Sequence, residues 1–466
     1  MTRQQLLYLH SIVLILRISI IMMYQRNMVN IASASLQRMS SSRHYSFITQ
    51  PYSQHYFMKS KVGANVNGNN IISPISHQFL DNNHNCIIPL QWRRFQHNFS
   101  MKQSNEDLIS LSSIVKQRLS SEDEKGSYQN KSVFNTLTST IELLEEYKCP
   151  EPIMSSCHLL SFALQDDFRW EDNGFSILHS MLSNPGIHST LRNKVLTDDE
   201  IENFSSMIQR RINNEPLQYI IGQWDFHDIT IKVRQPCLCP RPETEELVEY
   251  VAKDIKNLIL RNKQSGNENK IRVLDVGCGT GAISLALAKM FRKNDVDFVA
   301  IDVTTEAVNL SRENASIILG DSTNYEVILC SAATFTNENL GGNFKFDFDV
   351  IVSNPPYIPV KDMKTLSEDV VKYEDYGALC GGDDGMDVIR DIVTRLPEWS
   401  NYSSDSNDAV CWMEVDTSHP EQMKAWLKPP DCENNGDHNR VEFVEGMKDF
   451  YGLDRFVKLR IKKNNN

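Results

Sequence analysis

Two short stretches carry residue types whose spacing could do chemistry. The first is Ser353-Asn354-Pro355-Pro356-Tyr357-Ile358, which follows an apolar run at residues 348–352. Such a run reads as a buried strand. Two consecutive prolines cannot continue a central strand, because they lack the N–H that a ladder needs. The chain must therefore leave the sheet at Asn354, in a stiff loop beyond the strand's carboxyl end, where open α/β sheets bind ligands. That loop suits a planar group bearing an NH2. The Asn354 side-chain oxygen and the Pro355 carbonyl can each accept one of its hydrogens, Pro356 keeps the loop extended, and the Tyr357 ring can lie against its face. Alone, the segment reads equally well as a proline-rich turn without chemistry.

The second stretch is Val273-Leu274-Asp275-Val276-Gly277-Cys278-Gly279-Thr280-Gly281, a strand entering a glycine-rich turn and then a helix. Glycines there permit positive φ and a close approach of the backbone to a ligand. Dinucleotide enzymes use a similar turn, but their spacing is GxGxxG, with the pyrophosphate on a helix end. Here the spacing is GxGxG, and an acid, Asp275, precedes it. Asp275 can meet a cationic ammonium, directly or through water. Asp302 ends the next strand, where a carboxylate can accept from both hydroxyls of a ribose. Together these residues read as a site for S-adenosylmethionine. In the usual strand order of such sheets the Asn354 loop lies beside the glycine-rich turn, which brings Asn354 near the methyl group.

The elements that must position these residues alternate regularly. Strand-like runs occupy residues 271–276, 298–303, 327–330, 348–352 and 409–415; helix-like runs occupy 282–291, 305–318, 386–396 and 421–427. Runs at 441–445 and 455–461 come as neighbours and read as an antiparallel pair closing the sheet. Upstream, residues 132–147, 153–164 and 198–212 read as helices, the last with Thr197 as N-cap. Residues 224–226 and 229–233 read as a hairpin. A helix over 244–260 follows Pro240-Arg241-Pro242-Glu243-Thr244-Glu245, started by Thr244 or Glu243. The domains expected are a leader over 1–105, a helical domain over 106–222, a linking hairpin and loop over 223–245 and a catalytic domain over 246–466.

With 466 residues and 41% hydrophobic content, the chain can bury a real core across two or three domains. Its ten cysteines show no CxxC pair and no zinc-like spacing, and Cys237 and Cys239 read as ordinary thiols. No metal is expected. Of the 60 acids only Asp81 falls in the first hundred residues, against nine Lys and Arg there, so the net charge of −12 conceals a basic leader and a strongly acidic body. An acidic body disfavours non-specific binding to a phosphate backbone. The first 80 residues contain no acid and carry Arg3, Arg17, Arg26, Arg38 and Arg43, the composition of an organelle transit peptide. Arg43-His44-Tyr45-Ser46 resembles a matrix-protease site. The apolar run at 6–23 is the rival, as a signal-peptide core or the first half of a plastid address. The mitochondrial matrix is the expected location and a plastid the second choice.

The chain resembles the HemK/PrmC family, protein-(glutamine-N5) methyltransferases of peptide-chain release factors, as an organellar member. The resemblance spans about residues 130–462. It is carried by Glu215-Pro216 with Tyr219-Ile220-Ile221-Gly222, by Pro240 to Glu245, by Asp275 to Gly281, by Asp302, by Asn354-Pro355-Pro356-Tyr357 and by Gly381-Gly382-Asp383-Asp384-Gly385. It implies a class I S-adenosylmethionine-dependent fold: an α/β, Rossmann-like, seven-stranded sheet with an antiparallel terminal hairpin, preceded by a small helical domain that helps dock the release factor. It further implies that Gly277, Cys278, Gly279, Thr280, Gly281 and Asp302 bind the cofactor, and that Asn354 to Tyr357 hold the glutamine of a Gly-Gly-Gln motif. The protein would then act in translation termination as a monomer, with no stable nucleic-acid or membrane partner. One departure concerns the adenine: family members often carry an acid and an aromatic after the third strand, where this chain has Cys330-Ser331-Ala332-Ala333-Thr334-Phe335.

Three other functions compete. An adenine-N6 methyltransferase would use the same loop on an exocyclic amine, but needs a basic groove that the acidic body does not offer. A catalytically silent scaffold is disfavoured by the intact set of acids, glycines and NPPY. A nicotinamide dehydrogenase has no use for NPPY.

Overall fold

In the computed structural model, residues 105–120, 131–164, 174–184, 186, 188–321, 324–339, 346–400, 408–427 and 440–462 are described. They all fall within one compact unit. The leader, its cleavage site and its apolar run lie wholly or almost wholly outside them. Among the described residues no helix is long and apolar enough to cross a membrane.

The helical part is built from α1 (Asn105–Ser120), α2 (Val133–Glu146), α3 (Pro152–Ala163), α4 (Gly174–Ser183), α5 (Ser189–Arg192), α6 (Asp198–Ile212) and α7 (Leu217–Ile221). α6 starts where the sequence predicts. The Thr197 hydroxyl accepts from the Glu200 N–H at 3.2 Å, and the Glu200 carboxylate accepts from the Thr197 N–H at 2.6 Å. This reciprocal capping box satisfies two otherwise orphaned donors. Leu137, Leu144, Leu160, Leu178, Phe204 and Ile208 form its core.

Two short antiparallel strands, β1 (Gln223–Phe226) and β2 (Ile229–Lys232), lead to α8 (Pro242–Ser265). Then come β3 (Ile271–Val276), α9 (Ala282–Met290), β4 (Val296–Asp302), α10 (Thr305–Leu319), β5 (Tyr325–Leu329) and β6 (Val350–Ser353). The chain closes with α11 (Glu368–Tyr373), α12 (Tyr376–Leu379), α13 (Asp387–Trp399), β7 (Ala409–Glu414), α14 (His419–Trp426), β8 (Val441–Lys448) and β9 (Asp454–Ile461). The seven-stranded sheet runs β5-β4-β3-β6-β7-β9-β8, parallel except where β9 pairs with β7 and β8.

Alternation along each strand explains the unbroken apolar runs. On β3, Val273 faces a core shared with Leu247, Val251 and Leu285, while Leu274 faces one shared with Ile389, Val393 and Trp399. A parallel sheet covered on both faces needs apolar residues at every position.

Two boundary expectations are corrected. α8 begins at Pro242 with Arg241 as N-cap, not at Thr244 or Glu243. Pro suits the first helical position because its missing N–H would be orphaned there anyway. α13 continues past Leu396 through Pro397 to Trp399. The helices α1, α4, α5, α7, α11 and α12 have no counterpart in the periodicity reading.

Candidate active site

Three parallel strands carry an acid at their carboxyl ends, on the same edge of the sheet: Asp275 is the last residue but one of β3, Asp302 ends β4 and Glu414 ends β7. β6, between β3 and β7, ends in Ser353, whose hydroxyl donates to the Val276 carbonyl at 2.7 Å and locks the two strand ends together. Asn354 therefore leaves the sheet beside the glycine-rich turn, as the two prolines require.

In that turn, Gly277 and Gly279 take φ of 72° and 54°. A Cβ built on either would meet no atom within 4 Å, so the space beside this backbone is open to a ligand. The N–H groups of Gly277 and Cys278 donate to the Ile301 carbonyl at 2.8 and 3.0 Å, pinning the turn to β4. The Cys278 side chain packs with Ala300, Val308 and Val327, and Thr280 is buried, its carbonyl accepting from Asn314 Nδ2 at 2.9 Å. Gly281 precedes α9 as its N-cap.

Asp275 is fully buried, and its two partners bind one oxygen: the Ser284 hydroxyl and N–H both donate to Oδ2, at 2.5 and 3.2 Å. Oδ1 has no hydrogen-bond partner. Burial pushes the carboxyl up to about 6, against the pull of the Ser284 bonds. An orphaned, buried carboxylate oxygen beside open backbone is the signature expected of a subsite for a cation. Asp302 accepts from the Gly279 N–H at 2.9 Å on Oδ2 and from the Thr304 N–H and hydroxyl, both at 3.0 Å, on Oδ1. Burial raises its pKa and these bonds oppose the rise. Oδ2, with a single donor, keeps a lone pair for a further one. These residues fit the ammonium and ribose ends of S-adenosylmethionine. After β5, Phe335 is buried among Phe346, Phe348 and Trp399, so the aromatic of that segment belongs to the core.

Pro355 is buried, and Asn354, Pro356 and Tyr357 are half-buried. The loop is held from behind by Gly381 to Gly385. Ile358 donates to Leu379, Gly381 donates back to Ile358 and Val360 donates to Gly382, at 2.9, 3.0 and 2.9 Å. A Cβ on Gly381 would collide with the Pro356 carbonyl, and one on Gly385 with the Tyr357 carbonyl. These glycines are required by close backbone approach.

Thr244, read from sequence as a helix start, turns away from its own backbone. Its hydroxyl lies 2.6 Å from Glu414 Oε2 and accepts from Asn354 Nδ2 at 3.2 Å. The Tyr357 hydroxyl donates to Glu414 Oε1 at 3.2 Å. Glu414 was missed as well, although an acid closing an apolar strand is the signal that singled out Asp275 and Asp302. Upstream of α8, Arg241 donates to both oxygens of buried Glu374 at 2.8 and 2.6 Å, and Tyr219 donates to the Cys237 carbonyl at 2.5 Å. The PRPETE and EPxxYxxG segments thus brace the loop that delivers Thr244.

Comparison with known proteins agrees with this geometry. Residues 256–372 match the Methyltransferase small domain, and residues 188–222 match the PrmC N-terminal domain. The human MTRF1L release factor glutamine methyltransferase is 34% identical over 268 residues, covering 57% of this chain and 73% of that one. Release factor glutamine methyltransferases from Bacillus cereus and Streptococcus pneumoniae are 31% and 36% identical, with 94% and 82% of their lengths covered by 63% and 57% of this chain. With its class I methyltransferase sheet, its helical N-terminal part and matches of this extent, the chain belongs to the release factor glutamine methyltransferase family.

Proposed function

We propose that this enzyme transfers a methyl group from S-adenosylmethionine to the side-chain amide nitrogen, N5, of the glutamine in the Gly-Gly-Gln motif of a peptide-chain release factor. The observation that carries this reading is the Asn354 amide, fixed through Nδ2 with its oxygen left to accept, one strand away from the buried acid Asp275 and two from Asp302. S-adenosylmethionine supplies, when bound, a methyl group made electrophilic by a sulfonium. Asp275 Oδ1 would hold its ammonium, Asp302 its ribose, and the backbone of Gly277 to Gly281 the space between.

An amide nitrogen is a poor nucleophile because its lone pair is delocalised into the carbonyl. Asn354 Oδ1 and the Pro355 carbonyl would accept its two hydrogens, which fixes the NH2 and aims its remaining lone pair. Tyr357 would close the face of the amide. Most of the acceleration would come from this positioning, with the two carbonyl acceptors stabilising positive charge as it develops on nitrogen. The nitrogen becomes strongly acidic at that point, so its proton can leave to water.

The test incubates residues 101–466 with methyl-labelled S-adenosylmethionine and an organellar release factor, beside the same factor with its Gly-Gly-Gln glutamine changed to alanine. Label in the first and none in the second is expected. Asn354→Ala should abolish labelling while cofactor binding survives. Label in both factors, or entering DNA or RNA instead, would overturn the reading.

The helical part would dock the factor, and the acid-free first 80 residues would direct the protein to the mitochondrial matrix. A fluorescent protein fused behind residues 1–105 should enter mitochondria. Its appearance in plastids or in the secretory pathway would overturn that address.

A further inference from the structure

We propose that Thr244 and Glu414 act as a polarity relay that fixes which end of the Asn354 amide faces the substrate. The inference rests on the reading that Asn354 Oδ1 accepts a hydrogen from the substrate amide. An asparagine side chain is nearly symmetric in shape, so packing alone does not decide whether oxygen or NH2 points into the site. A wrong choice would set an NH2 against the substrate's NH2.

The chain of contacts removes the ambiguity by proton counting. Glu414 is buried at the end of β7, with a relative exposure of 1%, and an ionised carboxylate can only accept. Its two oxygens take the Thr244 hydroxyl at 2.6 Å and the Tyr357 hydroxyl at 3.2 Å. Thr244 has one proton and gives it to Glu414, so toward Asn354 it can only accept. Asn354 must then present Nδ2 to Thr244, 3.2 Å away, and Oδ1 to the opposite side. Tyr357, in the same loop, is oriented by the same carboxylate. A glutamine at 414 breaks the count, because its NH2 must face one of the two hydroxyls and so removes the acceptor that orients either Thr244 or Tyr357.

The charge that the relay needs has a counterion. Burial raises the Glu414 carboxyl above the ordinary glutamate range and Glu243 adds to the rise, while the Thr244 and Tyr357 hydroxyls and, from the adjacent strand β9, Arg455 oppose it and favour the charged form. Arg455 is itself anchored to buried Asp449 at 2.8 Å. Thr244 reaches Glu414 because α8 lies over β7, where Asp254 accepts from Trp412 Nε1 at 2.9 Å and pairs with Lys458 at 2.8 Å. Thr244 and Glu414 are thus positioning residues; neither touches the reacting atoms.

The relay is tested with Thr244→Val, Thr244→Ser and Glu414→Gln, measuring kcat and KM on the full-length release factor and Kd for S-adenosylhomocysteine. A packing role predicts that isosteric valine is tolerated and that serine, which leaves a cavity, is not. The relay predicts the reverse. Thr244→Ser should stay within about threefold of the parent in kcat, whereas Thr244→Val and Glu414→Gln should each lose about a hundredfold. Cofactor Kd should change less than threefold in all three. A valine variant as active as the serine variant would overturn the relay, and so would full activity in Glu414→Gln. Should Thr244→Val not fold, the Glu414→Gln result decides alone. Asn354→Ala, run alongside, separates this proposal from the one beneath it. If that variant is active, the parent reading fails; if it is dead while Thr244→Val is active, only the relay fails.

Discussion

Asp275 carries the sharpest conflict between stability and function. Its folded carboxyl titrates near 6, above the ordinary aspartate range, because it is buried with one oxygen unpaired. The proton is therefore held more tightly in the folded state than in the unfolded one. Stability is highest below the unfolded pKa of about 4 and declines as pH rises through 6, by on the order of 2–3 kcal/mol. Asn in place of Asp removes that decline. Both Ser284 bonds fall on a single oxygen, so Asp275→Asn can keep them and set its NH2 where the orphaned oxygen lies. The expected result is a cofactor-free variant that melts higher than the parent at pH 7.5 and equally at pH 4. If Asp275 holds the ammonium as proposed, the variant should gain no melting temperature from added S-adenosylmethionine, because an amide donor would then face that cation. A parent whose melting temperature is flat between pH 4 and 7 would refute the account. The same logic, in which buried polar groups destabilise the resting fold for the sake of a ligand, covers Asp302 only in part, since its hydrogen bonds already use both oxygens.

At the scale of elements, the sheet was legible in the sequence because burial on both faces writes strands as continuous apolar runs. β3 and β7 were located nearly to the residue, and the exit from β6 at Asn354 follows from two missing N–H groups. α6 was legible through its cap. Where the reading stopped, a physical reason can be named. α11 and α12 are six and four residues long, too short for a helical period to show. α13 was ended at Leu396 by the proline after it, yet Pro397 sits in the last turn, where the helix loses one bond and its buried face remains packed. Thr244 shows the deeper limit. Thr near a helix start usually caps its own helix, and only the lateral position of β7 reveals that its hydroxyl is directed at Glu414. Pairings across 110 and 170 residues, as for Thr244 with Asn354 and Glu414, leave no mark in local spacing. The glycines of residues 381–385 were visible as a motif, but the reason for Gly381 and Gly385, collision with the NPPY carbonyls, is a contact between two loops.

For the whole molecule the question is how a helical part whose core meets that of the sheet at Tyr219 and Trp224 is held in register with the NPPY loop. Arg210 answers from the helical side: it grips Glu215 at 2.9 and 2.5 Å and the carbonyls of Tyr219 and Ile220 at 3.0 and 3.1 Å, which stiffens the exit from α6. The Asn213 carbonyl in that exit accepts from both Lys372 Nζ and Tyr373 OH at 3.2 Å, and Asn214 donates to Glu368 at 3.1 Å. Lys372, Tyr373 and Glu368 all belong to α11, the first α-helix after the NPPY loop. The seam thus registers the helical part against the segment that leaves the NPPY loop. Two such hydrogen bonds contribute about 1 kcal/mol each, so Lys372→Met combined with Tyr373→Phe should loosen the register by roughly thirtyfold. That loss is expected in KM for an intact release factor, which would touch both parts. A short Gly-Gly-Gln peptide engages only the catalytic loop, and its kcat should stay within about twofold. Equal losses on factor and peptide would mean that α11 supports the loop itself, and that the seam sets the geometry of catalysis and not the geometry of docking.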